Sequence, residues 1–139
     1  MVSPAPPDVL QVLERWRQAA IDRSVNDISI VYAIDAVHEF PFTRPGLPSR
    51  MEGRDEIVSF IAGFWANGPL RYERYRTIAV HNTTDPSTIV VEQKVEGTSS
   101  TTGPFVLPNL LVLTARHSEI VHLRDYVNVL AAAEAMGTA

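Results

Sequence analysis

The sequence contains no cysteine among its 139 residues, which excludes disulfide bonds, thiol catalysis and thiolate metal sites. It also has no cluster of lysine and arginine, and its net charge of -4 with an isoelectric point of about 5.5 argues against nucleic acid as a partner. No uninterrupted apolar run approaches the roughly 20 residues of a membrane span. Residues 1–7 hold three of the ten prolines but neither the basic stretch nor the apolar core of a signal peptide, so we predict a loose arm there and a cytoplasmic protein.

The histidines show no spacing that is typical of metal ligands. There are four of them, namely His38, His81, His117 and His122. The last two bracket a tight turn and point in different directions. We therefore predict neither a metal site nor a bound cofactor.

What the sequence does contain is a change of hydrophobic period after Pro69. Before that residue, apolar side chains recur at helical spacing; after it, polar and apolar side chains alternate as in strands. Helices are predicted over residues 9–23, 27–32, 54–67 and 129–136, with Asp8 and Asp27 as the caps of the first two. Strands are predicted over residues 36–42, 70–81, 87–99, 105–116 and 120–128, with a loop over 43–51 and an interruption at Pro108.

This order of elements predicts a single α+β domain over residues 1–139. Short turns make consecutive strands antiparallel. Because three helices come early and most strands come late, we expect these helices to lie on one face of a mostly antiparallel sheet.

A carboxylate stands on the more apolar face of the last predicted strand. Alternation places Asp125 on the same face as Leu123 and Val127, while Arg124 points to the outer face. An ionised carboxylate without a partner is expensive to bury, so Asp125 should be hydrogen-bonded, paired or raised in pKa. A carboxylate satisfied by its neighbours and a catalytic acid or base both fit this pattern.

His38 shares its predicted strand face with Phe40 and Phe42. Because the apolar neighbours should face the core, His38 on the same face should also point inward. We therefore predict that His38 and Asp125 project into one cavity enclosed by the first and third helices. An ionised Asp125 would favour a protonated His38 if the two lie within about 4–6 Å. A histidine on an apolar face can equally be a hydrogen-bonded core residue.

Aromatic side chains are the candidate lining of that cavity. The set consists of Trp16, Phe40, Phe42, Phe60, Phe64 and Trp65. Each could equally belong to an ordinary core. In contrast, Glu39, Glu92, Glu96 and Lys94 indicate a solvated or interfacial sheet face.

Three segments together resemble the nuclear transport factor two-like superfamily, and the likeness covers about residues 8–130. They are residues 32–36 followed by Glu39 and Pro41, residues 52–57, and residues 124–128. The superfamily includes ketosteroid isomerases, limonene epoxide hydrolases, scytalone dehydratases and SnoaL-like polyketide cyclases. The resemblance implies a strongly curved sheet wrapped around three helices, a conical pocket and, as in many members, a homodimer.

The resemblance also implies roles for single positions. The general base of ketosteroid isomerases falls at Phe40, their phenolic donor at Trp16 and their second donor near Asn109, which argues against steroid isomerisation. Asp125 matches the last-strand aspartate of the epoxide hydrolases and of the SnoaL-like cyclases. The hydrolases' tyrosine and asparagine fall at His38 and Phe40, residues 92–95 lack their Arg-x-Asp pattern, and the cyclases' histidine falls close to Asn109.

Three functions remain open on this evidence. The first is an enzyme in which Asp125 and His38 do acid–base work of isomerase, cyclase or hydrolase type on a small apolar or aromatic molecule. The second is a non-catalytic module that binds such a molecule, and the third is a structural dimer with a filled core. In each case we expect a homodimer whose outer sheet faces meet.

Overall fold

The computed structural model describes residues 7–138. The helices are α1 (Pro7–Asp22), α2 (Val25–Val31), α3 (Arg54–Asn67) and α4 (Val129–Met136). The strands are β1 (Tyr32–Glu39), β2 (Arg50–Glu52), β3 (Leu70–Asn82), β4 (Thr88–Ser99), β5 (Gly103–Arg116) and β6 (Glu119–Val127). The arm predicted over residues 1–7 lies outside the described residues, except for Pro7.

The six strands found within residues 7–138 form one open sheet in the order β2-β1-β6-β5-β4-β3. Neighbouring strands are antiparallel except β1 and β6, which run parallel. The predicted α+β class with a curved, mostly antiparallel sheet is therefore confirmed. Helices α1 and α3 pack on the sheet, and the core between the layers includes Leu111, Leu113 and Leu123, each at most 1% exposed.

Two predicted helix caps are wrong. Ser24 is the cap of α2, because its hydroxyl oxygen accepts a hydrogen bond of 3.1 Å from the backbone N–H of Asp27. Asp8 lies inside α1, where its carboxylate accepts hydrogen bonds from the backbone N–H and the hydroxyl of Ser118. Asp8 thus joins α1 to the turn between β5 and β6 instead of capping a helix.

The first strand is also displaced from its predicted position. It begins at Tyr32, which the sequence pattern places in the second helix, because Tyr32 pairs with Ile120 of β6. It ends at Glu39, before the predicted end at residue 42. Strand β2 lies in the segment predicted as a loop, and the Arg50–Glu39 ion pair of 2.8 Å joins it to β1. Strand β5 runs through Pro108 without the predicted interruption.

Helix α4 covers one end of the sheet. The side chain of Asn128 caps it by accepting a 3.0 Å hydrogen bond from the N–H of Ala131. At its other end the hydroxyl of Thr102 donates to the carbonyl of Ala135. Ala135 packs in a second small core with Phe105 and other residues of β3, β4 and β5. No helix within residues 7–138 has the length and apolarity needed to cross a membrane.

Candidate active site

A cavity of about 140 Å³ lies between the helices and the sheet. All four helices contribute apolar side chains to its lining, including Ile28 from α2 and Ala132 from α4. A dry cavity of about 150 Å³ holds a molecule the size of benzene. This cavity therefore suits a single ring or a short branched chain.

Asp125 projects from β6 into this cavity, as Leu123 does into the core beside it. Its carboxylate Oδ1 accepts a 2.8 Å hydrogen bond from the side-chain amide of Asn109, a diagonal neighbour on β5. Burial raises the pKa of Asp125 to about 6, and the Asn109 hydrogen bond opposes that rise in part. A carboxyl group with such a pKa can accept and return a proton near neutral pH.

His38 is held by a chain of hydrogen bonds that begins in α1. The indole N–H of Trp16 donates to the Tyr32 hydroxyl at 3.1 Å, and that hydroxyl lies 2.9 Å from Nδ1 of His38. Burial raises the pKa of Tyr32, so the phenol keeps its proton, and we assign that proton to the hydrogen bond with Nδ1 because the phenol oxygen already accepts from Trp16. The ring proton of His38 is then on Nε2, which has no hydrogen-bond partner among residues 7–138.

The surroundings of His38 determine its charge state. Burial, followed by the charge of His122, lowers its pKa to about 4. Asp125 is not among the groups that shift it, so the ring is neutral at pH 7. A buried neutral imidazole with an unpartnered Nε2–H is suited to donate a hydrogen bond to a ligand, and unsuited to act as a cation.

Gln93 of β4 contributes a further oriented amide. Its carbonyl oxygen accepts hydrogen bonds from Nε and Nη2 of the buried Arg17, at 3.1 and 2.8 Å. A third nitrogen of Arg17, Nη1, is fixed by Thr77 at 2.9 Å and by Glu14. Because Arg17 holds the carbonyl end, the NH₂ end of Gln93 is left free to donate, and Gln93 lines the cavity.

Tyr72 and Tyr75 of β3 add two phenols to the polar lining. Their rings meet edge to face with centroids 6.1 Å apart, and burial raises the pKa of both phenols. Residues three apart in a regular strand point to opposite faces. Both rings face the cavity because the pairing of β3 with β4 shifts register between Tyr72 and Arg74.

The structure brings most of the sequence-predicted site residues together. Those that line the cavity are Trp16, His38, Phe40, Phe60, Phe64, Trp65, Asn109 and Asp125. Phe42 does not line it. Its side chain is 61% exposed and stacks edge to face on Tyr126, on the outer face, because β1 ends at Glu39 and the alternation of side chains ends with it.

Sequence reasoning missed several lining residues. Gln93 carried a readable signal, since it is a polar residue between Val91 and Val95 on a buried strand face, as Asp125 is on its own strand. Tyr72 and Tyr75 carried none, because a register shift cannot be read from strand periodicity. Within residues 7–138, no group of three or more His, Asp or Glu side chains is placed to hold a metal ion.

Comparison with known proteins agrees with this architecture. The family model of the SnoaL-like domain matches residues 13–123. The chain belongs to the SnoaL-like domain family. It thus falls within the nuclear transport factor two-like superfamily that the sequence segments resemble.

Individual SnoaL-like relatives span nearly the same length. The chain is 26% identical to the uncharacterised protein YesE of Bacillus subtilis (strain 168) over 128 residues, which are 91% of this chain and 86% of YesE. It is 31% identical to the uncharacterised PhzA/B-like protein PA3332 of Pseudomonas aeruginosa over 108 residues, 74% of this chain and 72% of that one. A crystal structure of a candidate isomerase from Bacillus subtilis superposes with a TM-score of 0.87 at 25% identity, covering 96% of this chain and 95% of that chain.

Proposed function

We propose that this SnoaL-like protein catalyses proton transfer at a carbon next to the carbonyl group of a small, largely apolar molecule. The observation that carries the proposal is Asp125: a carboxyl group in an apolar cavity, hydrogen-bonded to Asn109, with a pKa raised to about 6. A base with a pKa near working pH combines a large ionised fraction with a useful proton affinity. Asp125 would take the proton from carbon and return it to another position.

The second part of the proposal concerns the carbonyl oxygen. When Asp125 removes the proton, negative charge develops on that oxygen, and oriented N–H donors stabilise it. The Nε2–H of His38 and the NH₂ of Gln93 are two neutral donors whose other ends are already fixed by Tyr32 and Arg17. Prior fixation means that these donors need not reorganise during the reaction.

The class of reaction is supported by a relative of similar length and fold. The Bacillus subtilis structure at 25% identity is that of a candidate isomerase. Movement of a proton from one carbon to another is one reaction by which an isomerase can work. The cavity volume of about 140 Å³ limits the substrate to roughly one ring.

Hydrogen–deuterium exchange tests the proposal. Small cyclic ketones, dissolved in D₂O with the protein, should exchange the hydrogens next to the carbonyl, and NMR measures the rate. In Asp125→Asn the base is gone, and the protein-dependent rate should fall by about 100-fold or more. Asp35→Asn, which changes an exposed aspartate of β1, is the matched control and should keep the wild-type rate. Equal rates in all three proteins would contradict the assigned base.

A non-catalytic binding module is the second candidate. The observation in its favour is the lining itself, in which aromatic and aliphatic side chains greatly outnumber polar ones. It predicts saturable binding of the same ketones without any Asp125-dependent exchange. The third function, a structural dimer with a filled core, does not fit a cavity of about 140 Å³.

A further inference from the structure

Within residues 7–138, one cation faces the cavity. Among the lining residues described there, only Arg44 carries a positive charge at neutral pH, since His38 is neutral. Arg44 lies in the loop between β1 and β2 and is half-buried. Its side chain reaches toward α4, where Nη2 lies 4.0 Å from the sulfur of Met136, another lining residue.

Arg44 has no anionic partner among residues 7–138. The other arginines that are buried or half-buried on the helix side of the sheet are occupied: Arg17 by Glu14 and Gln93, Arg23 by two backbone carbonyls, and Arg54 by Glu119 and a backbone carbonyl. A thioether sulfur is a weak acceptor and does not neutralise a guanidinium. Partial burial of a cation against apolar groups is costly unless a counter-ion is present.

Asp125 does not serve as the counter-ion. No ion pair joins it to Arg44 in the described part of the chain, and its carboxylate accepts a hydrogen bond from Asn109 instead. The lining therefore includes an acid and a cation that are not paired with each other. Asp125 is hydrogen-bonded to Asn109 of β5, and Arg44 lies between the loop and α4.

We propose that Arg44 binds a carboxylate group of the substrate, so that the substrate class is a small apolar carboxylic acid carrying a second carbonyl group. A planar carboxylate matches one guanidinium with two parallel hydrogen bonds. A phosphate group, which carries nearly two charges, would need further cations, and no other cation lines the described part of the cavity. The proposal rests on the cavity being the ligand site of the proposed function.

The chain carries its own reporter for a test of this proposal. Trp16 and Trp65, its two tryptophans, both line the cavity, so their fluorescence should change when a ligand enters. Three ligands of one shape serve as probes: cyclohexanecarboxylate, cyclohexanecarboxamide and cyclohexyl phosphate. None absorbs near 280 nm. The titrations are done at pH 7.5, where Asp125 is ionised.

The wild-type protein should bind the carboxylate at least about tenfold more tightly than the amide, because only the carboxylate can form a charge-assisted pair with Arg44. Arg44→Gln should remove that preference by weakening carboxylate binding about tenfold, while amide binding stays within about threefold and confirms an intact fold. Arg44→Lys should keep part of the preference, because an ammonium lacks the paired geometry. Arg71→Gln is the matched control, since Arg71 is exposed and also lacks an ion pair among residues 7–138.

Four results would overturn the proposal: equal binding of carboxylate and amide by the wild-type protein, a preference that survives in Arg44→Gln, tighter binding of the phosphate, or no binding of any probe. These titrations measure binding and not exchange. If the carboxylate preference is absent but Asp125-dependent exchange is present, the substrate class is wrong and the proposed function stands. If the preference is present without exchange, Arg44 binds an anion in a module that is not a catalyst.

Discussion

At the scale of single residues, Asp125 and His38 respond to pH in opposite directions over the same range. The pKa of Asp125 is raised from 3.8 to about 6, so the folded protein holds this proton more tightly than the unfolded chain, and acidification from pH 6 to 4 stabilises the fold. The pKa of His38 is lowered from 6.5 to about 4, so acidification over that range favours the unfolded chain, which takes up the proton first. The two contributions offset each other.

Asp125→Asn separates these contributions. At pH 7.5 the variant should be more stable than the wild type by about 1–3 kcal/mol, because an ionised carboxyl in an apolar cavity is replaced by a neutral amide. Between pH 6.5 and 4 it should lose stability more steeply than the wild type, since the effect of His38 is no longer opposed. Urea unfolding at several pH values measures both effects. A variant that is less stable at pH 7.5, or whose pH profile runs parallel to that of the wild type, would contradict this account.

The same two residues show how far the sequence predicts the site. Both side chains alternate with apolar residues that face the core of the protein. The period of the strand therefore suffices to predict that they point inward. The same rule misplaces the side chain of Phe42, because side chains alternate between faces only within a strand and β1 ends at Glu39. The neutral state of His38 could not be predicted, because it depends on complete burial and on the charge of His122. The hydrogen bond to Tyr32 could not be predicted either, because the strand position of Tyr32 was missed.

At the scale of elements, the long helices and hairpin strands are predictable and the short or irregular pieces are not. Helix α3 has its predicted bounds because Gly53 and the Gly68–Pro69 pair mark its ends. Strand β2 has three residues, too few for a periodic pattern, and its existence depends on β1 beside it. The register shifts of β3 depend on β4 in the same way, which is why the tyrosine pair was missed.

Helix α4 provides a prediction at this scale. Asn128→Ala removes the side chain that caps its first turn and should lower the free energy of unfolding by about 1 kcal/mol. Since Ala132 and Met136 line the cavity, loosening α4 should also weaken binding of cyclohexanecarboxamide. Urea unfolding and tryptophan fluorescence measure the two effects. Asn26→Ala, on the exposed side of α2, is the control and should leave amide binding unchanged. Unaltered stability and binding in Asn128→Ala would show that α4 does not need this cap.

At the scale of the whole molecule, the outer face of the sheet carries exposed apolar side chains. Phe42, Ile78 and Val106 are 61%, 58% and 52% exposed there, between ion pairs such as Arg74–Glu96. Clustered exposed apolar groups are typical of interaction surfaces. We propose that two copies of the chain pair through this face, which the helices leave uncovered.

Light scattering tests the pairing. The wild-type protein should have twice the mass of the chain at high micromolar concentration, and Val106→Glu should reduce it to that of the single chain, because a buried unpaired carboxylate is costly in an interface. Leu10→Glu, which changes an exposed apolar residue of α1, should remain a dimer. A wild-type protein that is monomeric at that concentration would contradict the proposal.

The parallel pairing of β1 with β6 has a consequence for synthesis of the chain. Strands β3, β4 and β5 can pair as hairpins in the order in which they leave the ribosome, but β1 and β2 have no other neighbour in the sheet than β6, the last strand made. The β1–β2 pair must therefore wait, with one edge of β1 unpaired, until β6 has emerged. Contacts between distant parts of a chain form slowly and leave such an edge open to aggregation in the meantime. A nascent chain that is stalled before residue 119 should accordingly be a client for chaperones and have no binding cavity.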